Sequence, residues 1–303
     1  MQNKKAVVLM STYNGEKYVA QQLDSILRQD YPDVEIYVRD DGSSDATPKI
    51  LEEYDAKYEK FHLLETKENL GYPACFYALT DLDVPGDVFF FADQDDVWLE
   101  QKISRAMAHL AREEEDKPVA YYAGYHICDG ALKIVGESGK VTRPIELKDT
   151  LFEVCGLEFT MAINRAAKEF LFTHKPQKAK ARGTWMSMLY AAFGKIVYDN
   201  EPCALYRRHT SAVTSSNMGF FGLWKWRIKK FFGDGFAQYR ILLDDFYHTV
   251  GDELSPAQKK TVRLFAEKGY LRHVIQKVFY PKRLRRRWVD ELALRFVFLI
   301  GQL

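Results

Sequence analysis

The sequence contains no long apolar run and few cysteines, and both absences narrow what the chain can be. No stretch approaches the about 18 apolar residues that a membrane-spanning helix needs, and the apolar stretch near the N-terminus is too short for a signal peptide. We therefore expect a cytoplasmic protein. The four cysteines are Cys75, Cys128, Cys155 and Cys203. They are widely spaced without a Cys-x-x-Cys pair, which argues against a zinc site or a disulfide framework and favours buried free thiols.

The chain also lacks a large net charge, but its charges are unevenly distributed. The formal net charge is only +1 over 303 residues. Residues 219–303 carry 17 Lys and Arg against 8 Asp and Glu, whereas residues 1–218 carry 26 against 34. We predict one domain at 1–218 and a basic, aromatic helical region at 219–303. The basic charge of the second region favours an anionic surface as its partner.

Apolar runs alternate with helical patterns through the first half of the chain. The predicted strands are 6–10, 34–38, 61–64, 88–92 and 119–125. This alternation predicts an α/β fold with a mostly parallel sheet flanked by helices. Ligands in such folds bind beyond the carboxyl ends of the strands. Polar clusters follow three of the strands, at 11–14, 40–45 and 93–96, so we expect one site at that edge of the sheet.

The acidic cluster after the strand at 88–92 is the strongest chemical signal. Asp93, Asp95 and Asp96 stand on one short turn, where their mutual repulsion is unfavourable unless a cation neutralises them. Carboxylate oxygens prefer hard ions, so Mg²⁺ or Mn²⁺ is the predicted cofactor, with open positions filled by substrate phosphate oxygens. In the alternative interpretation, one aspartate caps a helix beginning near Trp98 and the others are solvated. That alternative explains one aspartate more easily than three.

A second acidic motif, Asp-Asp-Gly-Ser at 40–43, follows the strand at 34–38. Gly42 permits a tight turn, and a carboxylate there can accept a hydrogen bond from a nucleobase N–H or a ribose hydroxyl. Taken alone, an ordinary Asx turn before a capped helix explains this motif better.

Five segments together match the successive motifs of one enzyme family. They are Ser-Thr-Tyr-Asn at 11–14, Arg-Asp-Asp-Gly-Ser-Ser-Asp-Ala-Thr at 39–47, Ala-Asp-Gln-Asp-Asp-Val-Trp at 92–98, Phe-Gly-Lys-Ile-Val-Tyr at 193–198 and Leu-Tyr-Arg-Arg-His at 205–209. The pattern resembles the family-2 glycosyltransferases, and most of all the bacterial rhamnosyltransferase-like branch that builds surface polysaccharides. The resemblance implies a GT-A fold and inverting transfer of a sugar, rhamnose among the candidates. The implied donor is a UDP- or dTDP-sugar, and the implied acceptor is lipid-linked or a polysaccharide.

The resemblance also implies roles for individual residues around the nucleotide. Ser11, Tyr13 and Asn14 would bind the nucleotide, with the first two lining the base pocket. Asp41 would accept the N3–H of uracil or thymine. Asp93 and Asp95 would lie near the ribose.

The metal ligands follow from the same motifs. Asp96 would ligate Mn²⁺ or Mg²⁺, with Asp95 beside it. His209 and the arginines before it would face the diphosphate or the metal, although a lone histidine at a strand end is more often structural. A sugar nucleotidyltransferase is disfavoured, because no Gly-rich loop bearing Lys or Arg follows the first strand.

The residue expected to act as general base is missing from its usual place. An inverting enzyme needs a base to take the proton of the acceptor hydroxyl, and relatives carry an aspartate shortly before the Ile-Val-Tyr strand. Here that position falls on Gly183, or on Thr184 with a one-residue shift. Three interpretations stay open. Glu158 takes the role; the chain is a nucleotide-sugar-binding scaffold without activity; or the alignment is shifted and Asp199 or Glu201 is the base.

Two basic amphipathic patterns mark the C-terminal region. Apolar residues recur at helical spacing within 220–231 and 284–300, interleaved with lysines and arginines. Such helices suit the interface of an anionic membrane, where a lipid-linked acceptor would lie. Alternatively, these faces pack on the rest of the chain or pair two protomers as a homodimer. No nucleic-acid reader motif is present, so we expect no nucleic-acid partner. The basic amphipathic helices lead us to expect a peripheral protein of the inner membrane face.

Overall fold

The computed structural model describes residues 4–66, 68–208, 235–267 and 270–303, which form two compact units. The sheet unit is drawn from Met1–Pro144, Gly156–Phe172 and Gly194–Ala212. The helical unit is drawn from Ile145–Cys155, Thr173–Phe193 and Val213–Leu303. The helical unit therefore includes two segments that precede residue 219. The predicted boundary between residues 218 and 219 lies outside the described residues and stays a prediction.

One sheet contains the strands of the sheet unit. They are β1 (Ala6–Thr12), β2 (Val34–Asp40), β3 (Phe61–Leu64), β4 (Val88–Ala92), β5 (Val97–Trp98), β6 (Val119–Cys128), β7 (Ile134–Glu137), β8 (Ala162–Asn164) and β9 (Lys195–Arg207). The strand order is β3-β2-β1-β4-β8-β6-β9-β5, with β7 paired to β6. The first four strands in this order are parallel, whereas β8 runs antiparallel to both of its neighbours. The α/β fold is confirmed, and the sheet is mixed beyond its parallel half.

Helices follow the strands of the parallel half, as the alternation predicts. The sheet unit contains α1 (Val19–Leu27), α2 (Thr47–Lys57), α3 (Ala74–Thr80), α4 (Lys102–Leu110), a 3₁₀ turn (Glu158–Thr160) and most of α6 (Arg165–Thr173). The helical unit contains α5 (Leu147–Thr150), α7 (Arg182–Phe193), α8 (Gly235–Val250), α9 (Pro256–Ala266), α10 (Tyr270–Val278) and α11 (Trp288–Leu299). The helical C-terminal region is confirmed where it is described. No helix in the described parts of the chain is long and apolar enough to span a bilayer.

The helix expected to begin near Trp98 starts later. Val97 and Trp98 form β5 and pair with Leu205 and Ala204 of β9, and α4 begins only at Lys102. Val and Trp suit a paired strand, so strand pairing across the chain overrides the local helical pattern.

The core of the sheet unit explains the continuous apolar runs. Residues 6–10 of β1 and 88–92 of β4 are all buried, as expected for parallel strands covered on both faces. All four cysteines are buried and free, which confirms that prediction. In the helical unit, α7 is buried over almost its whole length, and Trp185 packs edge-on against Phe246 at 5.4 Å between ring centroids.

Candidate active site

The loops after β1 and β2 are joined by Asn14. Its backbone N–H donates to the Ser43 hydroxyl at 2.8 Å, and its side-chain oxygen accepts the Ser44 N–H at 2.8 Å. Asn14 adopts a φ of 48°, a left-handed conformation that asparagine tolerates better than most residues. This residue was predicted as a nucleotide ligand, and the structure places it as a cross-link between two strand-end loops. Ser11, also predicted to bind the nucleotide, is partly buried near the end of β1.

The loops after β1 and β4 are joined by the Gln94 side chain. Its oxygen accepts the Tyr13 N–H at 2.8 Å and its amide nitrogen donates to the Tyr13 carbonyl at 2.9 Å. Gly15 makes room for this contact, because a Cβ on Gly15 would lie 2.3 Å from Gln94 Oε1. The ring of Tyr13 is left about half exposed. The three polar strand ends therefore meet, as the sequence predicts, but Gln94 and Gly15 were not among the predicted site residues.

Asp41 is buried, with 3% of its surface exposed, and holds the segment after β3 against the end of β2. Its carboxylate accepts the N–H groups of Leu70 and Gly71 at 2.9 and 2.7 Å and two N–H groups of Arg39 at 3.2 Å. Of these donors only Gly71 uses Oδ2, so that oxygen keeps room for a further hydrogen bond. Recognition of a nucleobase by Asp41 is compatible with this arrangement and stays a prediction.

Asp40, the neighbour of Asp41, was not among the predicted site residues but organises the same turn. Its carboxylate accepts the Thr12 hydroxyl at 2.9 Å and both the N–H and the hydroxyl of Ser43 at 2.9 and 2.6 Å. The Asx-turn interpretation of this motif therefore describes Asp40.

Asp96 is the most deeply buried member of the acidic turn, with 1% of its surface exposed. Its Oδ1 accepts the Arg207 N–H at 3.2 Å, whereas Oδ2 has no hydrogen-bond partner among the described residues. Burial, together with the charges of Asp93 and Asp95, raises the pKa of Asp96 well above its usual range. A buried carboxylate oxygen without a partner is costly, and a cation would satisfy it.

Arg207 fastens the acidic turn from β9. Its side chain donates to the carbonyls of Asp95 at 3.0 Å and Gly130 at 2.9 Å and to the Gln21 side chain. The guanidinium also lies 4.6 Å from the ring centroid of Tyr18. Arg207 thus directs three of its five N–H groups at protein acceptors, and the expectation that the arginines before His209 face a diphosphate stays a prediction. His209 itself lies outside the described residues.

A buried lysine lies behind the acidic turn and was not predicted. Lys102 is 2% exposed and donates from Nζ to the carbonyl of Phe159. The ammonium lies 3.7 Å from the ring centroid of Trp98. Burial lowers the pKa of Lys102, while the nearby charges of Cys203 and Asp96 oppose that shift. Lys102 thus connects the acidic turn with the 3₁₀ turn that begins at Glu158.

Glu158 is partly exposed and accepts the Tyr72 hydroxyl at 2.8 Å. Gly183 and Thr184, where the family resemblance places the base, are buried in α7 of the helical unit. Asp199 is held by Arg105 at 2.7 Å and by the Tyr121 hydroxyl at 3.0 Å. These bonds, with one from the Glu201 N–H, outweigh burial and lower the pKa of Asp199, which argues against Asp199 as a base near neutral pH.

The carboxylates of the acidic turn fit a divalent cation only in part. Among residues 4–66, 68–208, 235–267 and 270–303 no group of three or more His, Cys, Asp or Glu side chains is arranged to hold a metal. Mg²⁺, however, is commonly held by one or two carboxylates together with substrate phosphates. The unpartnered Oδ2 of Asp96, with Asp95 next to it, matches that smaller ligand set.

Comparison with known proteins decides the family. The model of glycosyl transferase family 2 matches residues 7–167. The chain belongs to this family. It is 27% identical to the dTDP-rhamnosyl transferase RfbG of Shigella flexneri over 96% of this chain and 99% of that protein. It is 26% identical to the putative teichuronic acid biosynthesis glycosyltransferase TuaG of Bacillus subtilis, over 74% of this chain and 83% of TuaG.

Solved structures agree on the fold. The chain superimposes on residues 1–349 of S. aureus TarS with a TM-score of 0.61 at 16% identity, covering 98% of this chain and 79% of TarS 1–349. It also matches the mannosyltransferase PcManGT from Pyrobaculum calidifontis, solved with GDP-Man and Mn²⁺, with a TM-score of 0.54 at 16% identity, covering 100% of this chain and 88% of PcManGT. The predicted family, the GT-A fold and the assignment to the glycosyltransferases are confirmed.

Proposed function

We propose that this glycosyltransferase moves a sugar, with rhamnose the first candidate, from a UDP- or dTDP-sugar to a lipid-linked or polysaccharide acceptor with the aid of Mn²⁺ or Mg²⁺. The observation that carries the proposal is the unpartnered, buried Oδ2 of Asp96 at the meeting point of three strand-end loops. The alignment with the dTDP-rhamnosyl transferase RfbG over 99% of its length supports the choice of donor.

The acidic turn supplies several of the residues that we propose bind the donor. Asp96 and Asp95 would hold the metal, with His209 as a further candidate ligand. When bound, such a metal stabilises the charge that develops on a departing nucleoside diphosphate. Asp41 and Asp93 would hold the base and ribose, and the exposed ring of Tyr13 offers an aromatic face for the base.

The acceptor side needs a proton acceptor, and we assign that role to Glu158. As the acceptor oxygen attacks the anomeric carbon, its proton passes to the Glu158 carboxylate and the bond to the diphosphate breaks. The Tyr72 hydroxyl, 2.8 Å from Oε1, orients the carboxylate by hydrogen bonding. Glu158 is partly exposed, which allows an acceptor to reach it.

The donor assignment is tested by incubating the protein with a panel of nucleotide sugars, with and without Mn²⁺ or Mg²⁺, and measuring released nucleoside diphosphate. We expect release from a UDP- or dTDP-sugar only with metal. Asp96→Asn should reduce that release about 100-fold or more, since it removes one of few ligands. Unchanged metal-dependent release by Asp96→Asn would refute the metal assignment.

A second candidate function is a nucleotide-sugar-binding scaffold, favoured by the glycine at position 183. Glu158→Gln separates the two functions, because it keeps the size of the side chain and removes the base. An active enzyme with Glu158 as base should lose transfer about 100-fold or more while keeping its affinity for the donor. Tight donor binding without turnover in the unsubstituted protein would instead support the scaffold.

We also infer peripheral contact with the inner face of the cell membrane through α11. Its outer face exposes large apolar side chains: Trp288, Val289, Leu292, Phe296 and Leu299. Basic residues at 282–287 directly precede the helix, which suits an anionic bilayer. The second predicted amphipathic segment, 220–231, lies outside the described residues. Leu284 was expected on the same apolar face but is fully buried.

A further inference from the structure

The helical unit contains a cavity of about 470 Å³ that the proposed reaction does not use. It lies among α8, α9, α10 and α11, and this volume falls in the range of small-molecule sites. Several of its lining residues are apolar: Ile241, Phe265, Val274 and Phe298. Phe265 and Phe298 are almost completely buried, whereas Ile241 is 38% exposed and Val274 is partly exposed, so Ile241 and Val274 supply the accessible part of the apolar wall.

Two cations share this cavity. Lys277 is 6% exposed, and among the described residues its Nζ donates one hydrogen bond, to the Glu267 carbonyl at 3.5 Å. That distance is at the outer limit for a hydrogen bond. Arg240 also lines the cavity, and within the described residues neither cation forms an ion pair. Burial and the nearby charge of Arg240 lower the pKa of Lys277, and the opposing charge of Glu267 offsets that shift only in part.

The acidic residues of the cavity already have partners. Glu267 is paired with Arg263 and, at 3.2 Å, with His273. Asp244 is paired with His248 at 3.4 Å. The buried Nδ1 of His273 has no hydrogen-bond partner among the described residues. Within the described residues the cavity therefore offers two cations that form no ion pair and one imidazole nitrogen that has no hydrogen-bond partner.

We propose that this cavity binds a lipid phosphate, with the phosphate against Lys277 and Arg240 and an acyl or prenyl chain along Ile241 and Val274. Phosphate oxygens form strong charge-assisted hydrogen bonds with ammonium and guanidinium groups. The apolar wall can contact the hydrocarbon chain of a lipid phosphate. Free phosphate has no such chain. The proposal does not rest on the transfer reaction, since binding is measured without a donor sugar.

The test is calorimetric titration of the full chain with dihexanoyl phosphatidic acid below its micelle concentration. Inorganic phosphate and dihexanoyl phosphatidylcholine are titrated in parallel. We expect saturable binding of the phosphatidic acid and binding at least about tenfold weaker for the other two probes. Lys277→Met and Arg240→Gln should each weaken phosphatidic acid binding about tenfold or more. The matched control is Lys260→Met, which removes an exposed charge on α9. It should change the affinity for phosphatidic acid less than about twofold.

Three outcomes overturn the proposal. One is the absence of saturable phosphatidic acid binding to the unsubstituted protein. Another is equal affinity for inorganic phosphate or phosphatidylcholine, because then the apolar wall or the cation pair contributes nothing. The last is equal weakening by Lys260→Met and Arg240→Gln. Arg240 is exposed, so its substitution reports on binding even where Lys277→Met disturbs folding.

Discussion

Gln94 shows how one neutral residue organises a turn of negative charges. It stands between Asp93 and Asp95, and both ends of its amide bind the backbone of Tyr13, at 2.8 and 2.9 Å. The turn that carries the carboxylates is thereby tied to the loop that carries the exposed tyrosine ring. This contact requires glycine at position 15, because a Cβ there would clash with the Gln94 amide.

The first prediction concerns this contact. Gly15→Ala places a Cβ 2.3 Å from Gln94 Oε1 and should displace the amide, which is the free end of a flexible side chain. Because the two loops then lose their link, we expect KM for the donor to rise about tenfold, with little change in the melting temperature. Donor kinetics and thermal unfolding measure both effects.

The control for Gly15→Ala is Gly139→Ala, where a Cβ would meet no atom within 4 Å. A double-mutant cycle with Gln94→Ala sharpens the test. Gly15→Ala should have little further effect once Gln94 is alanine. Fully additive losses would show that Gly15 acts through some other contact.

At the scale of elements, Asp199 joins three parts of the sheet unit. It lies on β9 and accepts hydrogen bonds from Arg105 of α4 and from Tyr121 of β6. His109 of α4 lies 3.5 Å from the same oxygen. The aspartate considered from sequence as a base is therefore a clamp between a helix and the sheet.

The second prediction is a pH-dependent loss of stability in Asp199→Asn. The pKa of Asp199 is lowered below its ordinary value of 3.8, so its stabilisation is present above that pH and is lost as pH falls below it. We expect Asp199→Asn to reduce the free energy of unfolding by about 2 kcal/mol at pH 7. The difference from the unsubstituted protein should shrink below about pH 4.

Urea unfolding at several pH values measures this difference. The matched control is Glu114→Gln, which breaks an exposed ion pair with Lys117 and should cost less than about 0.5 kcal/mol. A loss for Asp199→Asn that is the same at pH 3 and pH 7 would contradict the ionic clamp.

The strands also show where local sequence patterns stop predicting secondary structure. The strands at 61–64 and 88–92 have the bounds that their apolar runs predict. Trp98 was expected in a helix, yet it pairs with Ala204 in β9. The partner strand lies far along the chain, and no local periodicity reports such a pairing.

At the scale of the whole molecule, the uneven charge and the outer face of α11 lead to the third prediction. Leu292→Gln, at a side chain 65% exposed, should weaken binding to vesicles rich in phosphatidylglycerol about thirtyfold, because burial of one leucine contributes about 2 kcal/mol. Co-sedimentation with vesicles measures the affinity. Raised salt should weaken it further, since the basic residues contribute through screened charge.

Val135→Gln is the matched control, an equally exposed apolar residue on β7 of the sheet unit. It should leave vesicle binding unchanged. If Leu292→Gln instead halves the mass measured by analytical ultracentrifugation and leaves vesicle binding intact, the face is a homodimer contact and the membrane proposal is wrong.

The sequence by itself determined the family, the α/β order of elements and the convergence of three polar strand ends, because each is written in local periodicity or in short contiguous motifs. Only the tertiary structure decided what individual polar residues do. It showed that Asp199 clamps α4 to the sheet, paired three N–H groups of Arg207 with protein acceptors, and revealed Gln94 in the acidic turn and Lys102 near Asp96. The physical reason is that a polar side chain is defined by its partner, and these partners lie on other strands and helices.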